Sequence, residues 1–187
     1  MFCPMRRPLT PEGLGALLYE MLREAVASTE ELAIGGLLAR LEIEEETLPR
    51  QYVGEIMIGC LYAATLAIER STSEWIGGRI VAGMKEEFVS HLREQGATSQ
   101  QTEQWRGVVE RHFVEYGQSM EGYEGLEPPW KLGRQLLRNF SGRNDYTALS
   151  VKHATEYLVT MQNLAQKVLN DRGPRLDPSL QATNDRG

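Results

Sequence analysis

The residues of this chain that could do chemistry are histidines, glutamates and arginines set at helical spacing. Each of the three histidines shares a helix face with a glutamate: Glu87 stands four residues before His91, Glu115 three after His112, and Glu156 three after His153. Such pairs suggest a carboxylate-bridged two-metal centre, which needs Glu-x-x-His from two helices and a glutamate from each of two others. Here the order is reversed and no Glu-x-x-His occurs. No metal site and no cofactor is expected. His112 falls among Trp105, Val108, Val109, Phe113 and Tyr116 and reads as a hydrogen-bonded histidine of the core or its boundary.

Glu55 is the one charge in the run YVGEIMIGCLYAATLAI, Tyr52 to Ile68. A carboxylate on an apolar helix is the raw material of a general acid or base. The simpler reading places it in the first turns of its helix, favoured by the positive end of the dipole and reaching solvent or Arg50. No catalytic residue is assigned. Gly-x-Ser-x-Gly is absent, neither Cys3 nor Cys60 has a histidine close by in sequence, and Gly35-Gly36 and Gly77-Gly78 lack the lysine and spacing of a phosphate loop.

The third group is cationic. Lys131, Arg134, Arg138 and Arg143 lie in a stretch without a single acid, inside a chain whose formal net charge is −6. Positions 131, 134 and 138 share one helix face, which leaves Leu132, Leu136, Leu137 and Phe140 for the core. One reading is a solvated stripe that pairs with Glu121, Glu124 and Glu127. The other is a docking surface for an acidic partner, because Tyr123, Trp130 and Tyr146 flank the stripe and aromatics with arginines anchor interfaces. The candidate partner-binding set is therefore Tyr123, Trp130, Lys131, Arg134, Arg138, Arg143 and Tyr146.

These residues must be positioned by helices, since no segment alternates as a strand. Thr10-Pro11-Glu12 opens a helix to about Ala27, and Ser28 or Thr29 caps a weak one from Glu30 to about Leu41. The apolar run forms a central helix at about 49–70, which must be covered on every side. It is too short, and too interrupted by Glu55, to cross a bilayer. Gly59, Ala63 and Ala67 give it a face of little bulk, suited to close helix packing or to lining an apolar pocket. Ser71 and Glu74 stand in capping-box spacing for the next helix, which ends near Gln95 with Gly96 as its C′ residue. Further helices run from Ser99, from Pro129 to about Phe140, and from Thr147 to about Asp171.

The expected fold is an all-α, single-domain bundle of about six to seven helices over 1–172, followed by a disordered tail at 173–187. With 187 residues and 41% apolar content the chain can bury one core. Its acidity argues against broad nucleic-acid binding. A helix-turn-helix cut from TEELAIGGLLARL and EIEEETLPRQY would put glutamates and a proline where base edges demand Arg, Lys or Gln. Met1 to Thr10 carries no apolar core of a signal peptide or anchor, and two distant cysteines suggest no disulfide framework, so a cytoplasmic location is expected. The functional expectation is a non-enzymatic protein that binds an acidic protein surface, or a second copy of itself, through 123–146. The alternative is a small-molecule or metal site near Glu55, His112 and the small-residue face at Gly59 and Ala63.

Overall fold

The computed structural model describes residues 9–28, 34–41, 51–121, 128–141 and 146–173. Seven helices occupy them: α1 (Pro11–Ala27), α2 (Ile34–Arg40), α3 (Gln51–Ser71), α4 (Glu74–Glu94), α5 (Ser99–Met120), α6 (Pro128–Ser141) and α7 (Ala148–Arg172). The fold is an all-α bundle. Of the tail expected at 173–187, Gly173 is the C-cap of α7, and 174–187, together with Cys3, Pro49, Arg50, Glu124 and Glu127, lie outside the described residues.

Local chemistry starts three of the helices. Thr10 accepts a hydrogen bond from the Gly13 amide, and Thr147 one from Ser150, each relieving an orphan donor in the first turn. Thr98 and Gln101 form a reciprocal capping box on α5. Gly96, at φ 91°, ends α4 in the left-handed region that glycine adopts without strain. The box expected at Ser71 and Glu74 does not form. Ser73 is the N-cap of α4, while Ser71 still belongs to α3, donates back to the Ala67 carbonyl and meets Gln166 of α7. Nor does Ser28 begin a helix; it closes α1, and α2 has only seven residues.

α3 lies at the centre, packed against α1, α4, α5, α6 and α7. From Ile56 to Ile68 every residue is buried except Leu66, which is half-buried. The stripes read from helical period are the faces that pack: Leu14, Leu18 and Leu22 on α1, Ile80, Met84 and Phe88 on α4, Leu158, Met161 and Ala165 on α7. Among the described residues, no helix is long and apolar enough to cross a membrane.

The closest backbone approach is elsewhere than the glycine of α3 suggested. α1 crosses α4 at Gly15 and Gly83: a Cβ at Gly15 would stand 2.1 Å from the Ile80 carbonyl oxygen, and one at Gly83 2.4 Å from that of Glu12. Arg79 fastens the same crossing, its Nε 2.6 Å from Glu12 Oε1, and its guanidinium holds the Glu12 carboxyl below the usual range. At Gly59 it is side chains that close in, Tyr116, Leu136 and Leu158. The small-residue face is thus filled by its neighbours.

Cys60, fully buried on α3, has its thiol pushed up to about 12, chiefly by burial. The thiolate is the reactive form. In a Cys3→Ser background, iodoacetamide should therefore label Cys60 on the order of a thousandfold more slowly in the folded chain than in denaturant. Equal rates, followed by mass spectrometry, would contradict the burial.

Candidate functional site

Three helices converge on a polar layer inside the core. α3 contributes Glu55, one turn into the described part of the central helix; α5 contributes His112 and Tyr116; α6 contributes Gln135 and Asn139, four residues apart on one face. Gln135 Nε2 donates to Asn139 Oδ1 at 2.7 Å, Asn139 Nδ2 lies 3.2 Å from His112 Nδ1, and the same Nδ1 lies 2.8 Å from Glu55 Oε2. Fifty-seven positions separate Glu55 from His112 in sequence, and the fold puts them in contact.

Nδ1 carries either one hydrogen or one lone pair, so Glu55 and Asn139 compete for it. An N–H would satisfy the carboxylate, whereas a lone pair would satisfy the amide. Glu55 Oε2 is buried and accepts no well-directed hydrogen bond despite the 2.8 Å separation. The contact is therefore a close polar approach rather than a directed hydrogen bond. Glu115 adds a second carboxylate 4.0 Å from His112 Nε2, at an exposure well above that of the ring. Tyr116, stacked on Tyr62 with ring centroids 4.9 Å apart, has its hydroxyl buried near Asn139 without a well-directed hydrogen bond among the described residues, and burial raises its pKa well above the usual tyrosine range. With Tyr116 and Leu136 pressed onto Gly59, the neighbouring face of α3 is occupied by side chains.

Gln135 links the layer to the surface. It is buried, yet it also lines a cleft of about 240 Å³ bounded by Ser119 at the end of α5, Lys131, Arg134 and Arg138 on α6, and Tyr146 just before α7. Among the described residues, no acidic one lines this cleft. α6 is amphipathic as expected, with Leu132, Leu136, Leu137 and Phe140 buried and Arg134 and Arg138 exposed. Its backbone is held hard against α7: a Cβ on Gly133 would stand 2.8 Å from the Thr155 amide nitrogen and 2.9 Å from the Val151 carbonyl oxygen. The Tyr146 hydroxyl donates to the Leu137 carbonyl. Helix α6 is thereby fastened both to α7 and to Tyr146 just before it.

Of the sequence-derived set, Lys131, Arg134, Arg138 and Tyr146 come together in the cleft. Trp130 is 37% exposed at the start of α6 and is not part of the lining. Tyr123 and Arg143 lie outside the described residues. Among the described residues, Arg134 and Arg138 form no ion pair, and Glu121, expected as a partner of the stripe, is exposed. Gln135, Asn139 and Ser119 were not picked out by charge or aromaticity. The signal for the first two was there: two carboxamides four apart, on the edge of the leucine face. His91 and His153 each sit near a glutamate of their own helix, 3.8 Å and 3.6 Å away, and join no larger cluster. No protein-family model matches the chain, and neither a curated protein nor a solved structure matches it.

Proposed function

We propose that this chain is a non-enzymatic binding protein that docks an acidic segment of another protein on the α6 face. The observation that carries the reading is the convergence of Lys131, Arg134 and Arg138 on one cleft that no carboxylate of the described residues lines, in a chain of net charge −6. Like charges held together on a surface repel one another and lower stability slightly, so an acidic ligand gains where the bare surface loses. Exposed Trp130 beside the cleft supplies an apolar anchor of the kind that concentrates binding energy.

Charge reversal tests it. Arg134→Glu with Arg138→Glu should weaken binding of glutamate-rich peptides by about tenfold or more and flatten its dependence on ionic strength. Circular dichroism should not change, because both side chains are exposed. Undiminished peptide affinity in the double variant would refute the assignment.

A second reading, a ligand or metal held by Glu55 and His112, is favoured by their 2.8 Å approach. It requires room that Tyr116 and Leu136 occupy. Among the described residues, no three potential ligands are grouped to hold a metal ion.

A further inference from the structure

The cleft has more than positive charge. Its cations stand on one wall, at positions 131, 134 and 138 of α6; Gln135, buried and fixed by its bond to Asn139, lies between them; the Ser119 and Tyr146 hydroxyls at its edge donate to the Tyr116 and Leu137 carbonyls and so offer it no hydrogen. A carboxylate is planar and singly charged, and one arginine fork suffices for it. Two arginine forks, a lysine and the second amide hydrogen of Gln135 offer more donors and more charge than one carboxylate can use, and suit an anion that carries more charge and presents oxygens in several directions. A phosphate monoester has a charge of about −1.5 to −2 near neutrality and three acceptor oxygens.

We propose that the cleft is a phosphate-monoester site that receives a phosphorylated side chain of the docked partner segment. The assignment rests on the reading of α6 as a docking surface. Arg134 and Arg138 supply the charge-assisted hydrogen bonds, and guanidinium is the group best matched to phosphate geometry. Gln135 cannot swing away without giving up its bond to Asn139, so it is a fixed element of the cleft rather than a mobile surface group.

The test uses the full chain and three degenerate peptide pools that differ only at a central position: phosphoserine, glutamate or serine. Binding is read by fluorescence anisotropy, with inorganic phosphate as competitor. At about pH 7.5 the phosphoserine pool should bind about ten- to a hundredfold more tightly than the glutamate pool, as expected for added charge-assisted hydrogen bonds. Inorganic phosphate should displace it, and Arg134→Gln with Arg138→Gln should abolish the advantage. Lys152→Gln, on the exposed face of α7, should change nothing.

The advantage should also shrink at about pH 5.5, where the phosphate, with a second pKa near 6, takes up a proton. The cleft's own ionisable groups are Lys131, Arg134 and Arg138 from α6 and Tyr146 beside α7, and α5 contributes Ser119. The Glu55 and His112 pair lies behind Gln135 and Asn139, and the glutamate pool, measured at both pH values, reports any effect of the protein's own groups. Equal binding of the phosphoserine and glutamate pools, both lost in the double variant, overturns the phosphate site and leaves the docking surface standing. Binding of neither acidic pool overturns both. A phosphoserine advantage that survives in the double variant places the anion elsewhere and overturns the assignment, as does binding of free phosphate without any preference among the pools.

Discussion

Replacing His112 by leucine should lower the free energy of unfolding by about 3–5 kcal/mol, the cost typical of leaving a buried carboxylate without its partner. Glu55 would be left with its Oε2 shut away from water and without the imidazole, its contact at 2.8 Å. Glu55→Leu alone should cost less, about 1–3 kcal/mol, because the imidazole keeps its contact with Asn139. The double variant should recover much of the loss, as apolar side chains of similar volume replace both polar groups. Urea denaturation of the four proteins gives the coupling directly. A His112→Leu cost below about 1 kcal/mol, or strict additivity in the double variant, would mean that the contact contributes nothing to the fold.

The second large effect is a change of sign between glycines. Gly15→Ala or Gly83→Ala should destabilise the chain by about 1–3 kcal/mol each, because the new methyl group would meet backbone atoms at the α1 and α4 crossing, which cannot rotate away. The pair should cost less than the sum, since separating the helices once relieves both clashes. Gly78→Ala and Gly107→Ala should act in the opposite direction. Nothing lies within 4 Å of a Cβ at either position, so alanine gains up to about 1 kcal/mol from its helix propensity. Shifts in the urea midpoint at constant slope would decide both signs, and a neutral Gly83→Ala would show that the crossing is looser than its geometry.

These two results bear on how much of the molecule can be read from its sequence. The helices are legible because their signals are local: Thr10, Thr98 and Thr147 cap within three residues, and the stripes on α1, α4 and α7 follow from period alone. The burial of α3 is legible because a run apolar on all sides has one remedy. Which helices cross at which residue is another matter. Gly15 and Gly83 carry no mark that distinguishes them from Gly78, and Gly59 was the stronger candidate until Tyr116 proved to cover it. Period assigns Glu55 and His112 to faces, and a face does not name its neighbour. The arginine stripe could be seen because it departs from the composition around it; Gln135 and Asn139 matter through a partner on another helix. Ser71 has the spacing of a cap, yet it is the last residue of α3, its hydroxyl turned back to the Ala67 carbonyl, and Ser73 begins the next helix.

The bracing of α6 has a thermodynamic corollary. With Gly133 against the backbone of α7, Asn139 beside His112 and the Tyr146 hydroxyl on the Leu137 carbonyl, the α6 backbone is held in place, so a partner docked there as proposed would cost it little backbone entropy, the arginine side chains being the part left to order. A calorimetric titration would then report the ordering of the visitor and the release of its solvent, with the host contributing almost none of the heat-capacity change.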